Sequence, residues 1–256
     1  MPDSIPLFTP TGGPVGDWRA WGAPRKPGRW RPGRSANELA RAWFTSPAPV
    51  LPGEVRALLD SHPATRGAVI EKGFAQFTAD LPGGAGESRQ FDLLLHGRGP
   101  GGPLVVGVEA RADETFGARL AKKLRATDDA EPDPTVEPRA RTIIALLFGA
   151  TDADPADDPW SRLRWRLLTG AAGTAYQAAR EGASHALFLV HEFKTPIVDE
   201  VTDAESAADL DVFAGLLVPG TARLLPGQVA GPVRIQSPLL PRSVDLLVGR
   251  AVYSWG

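Results

Sequence analysis

Three apolar segments between residues 68 and 112, cut apart by two glycine-rich turns, constrain the fold of this 256-residue chain more than any other feature. Residues 68–79 (AVIEKGFAQFTA) carry β-branched and aromatic side chains in loose alternation. Residues 90–96 (QFDLLLH) and 104–112 (LVVGVEARA) follow after the turns LPGGAGES and GRGPGG. Loops this short suit neighbouring antiparallel strands, because a parallel return needs a crossover of a dozen or more residues. The segment therefore predicts a three-stranded antiparallel meander.

The flanking chain alternates helix and strand signals. Ser35 and Glu38 have the spacing of a capping box, and Leu39, Ala40, Trp43 and Phe44 follow at helical intervals. A second helix is predicted from Pro52 or Gly53 to Ser61. After the meander, residues 114–126 place Phe116, Leu120 and Leu124 on one helical stripe. Residues 142–148 (TIIALLF) form a continuous apolar run of strand length, which predicts a central strand covered on both faces. A long helix over 160–182 and a buried strand over 185–193 come next. Strand, long crossover and strand predict that 142–148 and 185–193 pair in parallel. A further helix is predicted over 211–218, followed by irregular Pro/Gly-rich chain. The expected fold class is α/β, with a mixed central sheet (antiparallel three-strand meander plus parallel strands) flanked by helices. It divides into a basic Pro/Trp-rich arm (1–34), the core (35–195) and a C-terminal extension packed on the core (196–256).

Composition removes several chemistries. With no cysteine there are no disulfides, thiolate metal sites or cysteine nucleophiles. The four histidines lack any two-histidine metal spacing. No apolar run approaches 18 residues and the N-terminus has no leader-like segment, so no membrane partner is expected and the cytoplasm is the expected location. Net charge is −2 but unevenly spread. The arm carries Arg19, Arg25, Lys26, Arg29, Arg31 and Arg34, whereas residues 128–159 hold nine acids and residues 199–211 are acidic again. Such an arm can bind phosphates while Trp18, Trp21 or Trp30 stack on bases, but Pro-rich chain with spaced Trp favours an arm wrapped over the domain with its tryptophans buried. Gly97 to Gly102 formally matches GxGxxG, but a strand follows it and Pro100 lies inside it, so no helix N-terminus faces a pyrophosphate.

One constellation carries chemistry. Asp92 opens the second meander strand, and Glu109 and Arg111 share a face of the third. Pairing of the two strands through GRGPGG brings Asp92 close to Glu109. Two carboxylates beside a cation make a hard-oxygen site suited to Mg²⁺ or Mn²⁺, with Glu71 on the first strand as a third ligand. A metal there would lower the pKa of bound water and neutralise charge on a scissile phosphate. The other reading is an ion-pair row on an exposed sheet face.

Asp92 followed by Glu109-Ala110-Arg111, on a meander between helices, resembles the PD-(D/E)xK restriction-endonuclease-like superfamily, and GRSANELARAW, VEARADETFG and LVHEF together are similar to an uncharacterised bacterial group within it. The resemblance covers about residues 35–195. It implies a metal-dependent nuclease, with DNA favoured over RNA as substrate. Asp92 and Glu109 would hold Mg²⁺ or Mn²⁺ with Glu71, Arg111 would contact the scissile phosphate, and Gln177 on the long helix would help position it. Cutting both strands of a duplex would call for two sites, hence a homodimer. The family's lysine is Arg111 here, and an arginine stays charged and is a poor base; Lys72 or Lys122 would have to supply an amine. That departure implies the alternative: a catalytically degenerate member of the fold that binds nucleic acid or protein.

Overall fold

The computed structural model describes residues 4–21, 30–83, 88–125 and 133–254. Apolar side chains spaced along the arm dock it onto the domain. Ile5, Leu7 and Val15 are buried, and Leu7–Phe8 (β1) pairs in parallel with Val69–Ala75 (β2). Trp21, at the end of a short 3-10 turn, is wholly buried, while Trp18 stacks on Trp30 with ring centroids 6.4 Å apart. Arg25, Lys26, Arg29 and the acids Asp128, Asp129 and Glu131 lie outside the described residues.

Ser35–Trp43 (α1) starts where predicted, but the capping box is not made. Glu38 reaches back to accept the N–H of Gly33 at 2.7 Å, and Ser35 donates instead to Glu114. Gly53–Ser61 (α2) buries Val55, Leu58 and Leu59 as its spacing requires. The first strand segment is broken at Gln76, whose φ is +52°. Beyond it Thr78–Asp80 (β3) pairs with Ser88–Gln90 (β4) in a separate small sheet. Leu93–Gly99 (β5) and Gly102–Arg111 (β6) complete the antiparallel meander with β2. GRGPGG is the tight turn between β5 and β6.

The chain from residue 112 corrects three expectations. Leu120–Leu124 (α3) is much shorter than the helix expected over 114–126, because Gly117 at φ +73° interrupts it. Val136–Phe148 (α4) is a helix, so the strand expected at 142–148 does not exist. The apolar run is the end of a longer pattern in which Val136, Ala140, Ile143, Ile144 and Leu147 are buried at helical spacing. Pro138 lies in the first turn, where a missing N–H costs nothing, and Gly149 at φ +68° ends the helix. Trp165–Arg180 (α5) follows, then His185–Lys194 (β7). The parallel partner of β7 is β6, not residues 142–148, and α3, α4 and α5 lie within the crossover.

Residues 196–256, expected as an extension packed on the core, supply part of the sheet itself. Glu200–Leu217 (α6), Gln228–Ile235 (β8) and Val244–Ser254 (β9) give the strand order β1-β2-β5-β6-β7-β9-β8, with β9 parallel to β7 and β8 antiparallel to β9. The segment read as irregular thus forms the outer third of a seven-stranded mixed sheet. One sheet face packs under α4, α5 and α6 around Phe91, Phe188, Phe213 and Leu246. The other packs under α1, α2 and the arm around Leu93, Val106, Leu187 and Leu247. Small residues let α5 lie close to the sheet: a Cβ on Gly107 would clash with Thr174 and Phe91. No helix among the described residues is long and apolar enough to cross a membrane.

Candidate functional site

Alternation along β6 sends Val105, Gly107, Glu109 and Arg111 to the face under α5, and Leu104, Val106, Val108 and Ala110 to the other. The register Leu93↔Val108 then places Asp92, just before β5, beside Glu109. Asp92 Oδ2 accepts the N–H of Ala110 at 2.9 Å, which ties the two strand positions together. Asp92 and Glu109 thus come from adjacent positions on neighbouring strands.

What surrounds them differs from an open acidic cleft. Glu109 is 0% exposed and is clasped by two guanidinium groups, Arg89 from β4 and Arg166 from α5, the latter at 3.0 Å. Burial first, then the like charge of Arg166, pushes the pKa of Arg89 down to about 9, against the pull of Asp92, so Arg89 stays charged near neutrality. Arg166 also faces Glu114, whose carboxyl is pushed up to about 7, mainly by burial and by its hydrogen-bonding neighbour Asp113, against hydrogen bonding from Ser35. Arg34 closes the cluster through Asp113 at 2.6 Å.

Arg111 is equally occupied. Its fork donates to Asp203 Oδ1 of α6 at 3.1 Å from each terminal nitrogen and to the carbonyl of Thr202 at 3.3 Å, and Glu192 lies 3.7 Å away. Glu192 is itself paired with Arg250 at 3.0 Å, and Lys194 meets Asp203 at 2.5 Å. On the opposite face His191 is held at 2.8 Å by Glu54.

Two predicted members lie elsewhere. Gln177 is eleven residues beyond Arg166 on α5, about 16 Å along the helix axis at 1.5 Å per residue. It donates to Glu181 at 2.6 Å, and Glu181 pairs with His96 at 2.6 Å. Glu71 sits in the irregular stretch of β2 opposite His96 and pairs with Arg98 at 3.3 Å. Both therefore belong to the far end of β5, about 13 Å from Asp92 by strand rise. Physically, the β2–β5 pairing carries Glu71 past the site, and the direction of α5 carries Gln177 away from it. Lys72 lies at that far end too, and Lys122 is on α3. Nothing in the linear sequence marked Arg89, Arg166, Lys194 and Asp203, because each comes from a different element; the acidic run over 199–211 was the only hint.

The donor set does not fit Mg²⁺ or Mn²⁺ as it stands. Two arginines claim the Glu109 carboxylate, Asp92 commits an oxygen to a backbone N–H, and Glu71 is out of reach. Among the described residues no group of three or more His, Asp or Glu side chains is arranged to hold a metal ion.

Comparison with curated proteins and with solved structures returns no match. One family model spans nearly the whole fold, from residue 13 to residue 251, and on that match the chain belongs to the family described as Domain of unknown function (DUF6946).

Proposed function

We propose that this chain is a catalytically degenerate protein on a restriction-endonuclease-like frame, and that it binds nucleic acid through the phosphate backbone without cleaving it. The carrying observation is the sealed motif: Glu109 is wholly buried between Arg89 and Arg166, and Arg111 is only 2% exposed and committed to Asp203 and Thr202. Buried groups already ion-paired in low dielectric give little to an incoming metal, and freeing them leaves buried charges uncompensated.

Support for a polyanionic partner comes from the surface beside that motif. α3 and its flanks expose Arg119, Lys122, Lys123 and Arg125, and the docked arm exposes Arg19 and Arg31. Arg119, Lys122, Arg164 and Glu205 line a cavity of about 450 Å³ next to α6. Cations on an exposed rim attract phosphates without reading sequence, and the affinity they give falls with salt.

The test is a fluorescein-labelled DNA duplex and single strand, followed by anisotropy in EDTA and then with Mg²⁺ or Mn²⁺, with gels run in parallel. Salt-sensitive binding with intact DNA is expected. An Arg111→Lys variant that gains cleavage would show that Asp92 and Glu109 can still take a metal and would contradict the sealed motif. Cleavage by wild type that disappears in Asp92→Ala/Glu109→Ala would overturn it in favour of a metal-dependent nuclease, and absence of any binding at low salt would remove the nucleic-acid partner.

A further inference from the structure

The two ends of α6 are fastened by different forces. From Leu210 onward the helix buries Leu210, Phe213, Ala214 and Leu217 in the core. Before Leu210, Ser206 is the only buried side chain, and Val201 is 74% exposed. The first turns are held instead by charge on both flanks. On one flank Asp203 meets Arg111 at 3.1 Å and Lys194 at 2.5 Å. On the other, Glu205 and Asp209 meet Arg164 at 2.6 and 2.5 Å and Arg119 at 3.2 Å each. Asp199 caps the helix by accepting the Thr202 N–H at 2.9 Å.

These contacts have the form of phosphate recognition. A single oxygen, Asp203 Oδ1, receives both terminal nitrogens of Arg111 and the Lys194 ammonium, as a phosphate oxygen would. Burial disfavours the Asp203 carboxylate, but hydrogen bonds from Lys194 and Arg111 hold its pKa below the ordinary value, so it is an anion at neutral pH. Arg119 and Lys122, which border the same helix, belong to the exposed basic rim of α3.

We propose that the acidic first turns of α6 are a built-in competitor for polyanion: Asp203, Glu205 and Asp209 cover a basic strip formed by Arg111, Lys194, Arg164 and Arg119, and a phosphodiester backbone binds tightly only by displacing them. This deepens the binding function proposed above and rests on it for the identity of the ligand, not for the existence of the strip. The hinge falls between the charge-held residues before Leu210 and the apolar packing after it. The device explains why so acidic a segment lies on the cationic side of a neutral-to-acidic protein.

The experiment compares wild type with Asp203→Asn/Glu205→Gln, and with a control that removes two charges from an exposed acidic loop, Asp152→Asn/Asp157→Asn. Anisotropy with a labelled DNA duplex should show at least ~10-fold tighter binding for the α6 variant and less than ~2-fold for the control, since charge-assisted contacts of this kind add more than general charge does. Adding Lys194→Ala to the α6 variant should remove most of the gain. Equal gains in both double variants, or none in the α6 variant, would overturn the competitor while leaving wild-type DNA binding intact. If no form binds DNA, inorganic pyrophosphate measured by calorimetry decides: Lys194-dependent binding by the α6 variant alone keeps the strip, and its absence overturns it. Should the α6 variant not fold, hydrogen exchange on wild type replaces it. Faster exchange of residues 200–209 on adding pyrophosphate supports displacement, and unchanged exchange overturns it.

Discussion

The sheet face under α5 carries charge at both ends, and the two ends behave differently. At the C-terminal end of β6 and β7, Glu109, Arg111, Glu192 and Arg250 are all less than a tenth exposed and paired with one another or with Arg89, Arg166 and Asp203. At the other end, Glu71, Lys72, His96, Arg98 and Glu181 line an open cavity of about 240 Å³. There the Arg98–Glu71 pair is exposed at both partners. Residue types are similar; burial is not. Closure by α5 and α6 turns the first set into structure, whereas water screens the second. On the function proposed above, the covering helices decide whether the Asp92–Glu109–Arg111 motif can act.

The largest expected effect is at the sealed end. Glu109→Ala leaves Arg89 buried without its carboxylate and should cost about 3–5 kcal/mol, read as a lowered denaturation midpoint. A cost below ~1 kcal/mol would mean that the pair is not closed. Glu114→Gln comes next and carries a pH signature. The folded pKa of about 7 lies above the ordinary carboxylate value, so the stability linked to Glu114 is present in acid and is lost as pH rises toward and through 7. Wild type should weaken by on the order of 1–3 kcal/mol over that window, and Glu114→Gln should flatten the curve. A wild-type curve already flat between pH 5 and 8 would contradict the burial of Glu114.

Effects at the open end should be smaller. Glu181→Gln removes the carboxylate that faces His96 and should cost no more than about 1 kcal/mol, screened by solvent. Arg98→Ala, at an exposed pair, should stay within ~0.5 kcal/mol. Comparable losses at both ends would break the distinction.

Local signals read well where a single element decides. The meander followed from its short turns, and Asp92 beside Glu109 followed from the strand alternation. Residues 142–148 were misread because a seven-residue apolar run has no visible period; the helix declares itself only when Val136 and Ala140 are included. β8 and β9 escaped because Gly and Pro between apolar residues resemble loop, although Gly231 and Pro232 fall at a bulge in the sheet. The partners of Glu109 were beyond reach for another reason. Arg89 and Arg166 are 77 residues apart in the chain, and only the docking of α5 against β4 and β6 brings them to one carboxylate.

The central claim is that Glu109 and Arg111 are each closed off in buried ion pairs and leave no site fit for a divalent cation. Titration calorimetry of wild-type protein with Mg²⁺ and Mn²⁺, alone and with a DNA duplex, tests it directly. The account predicts no saturable binding that depends on Asp92 and Glu109. Stoichiometric binding by wild type that vanishes in Asp92→Ala/Glu109→Ala would contradict it, because the carboxylates would then have exchanged their arginines for a metal.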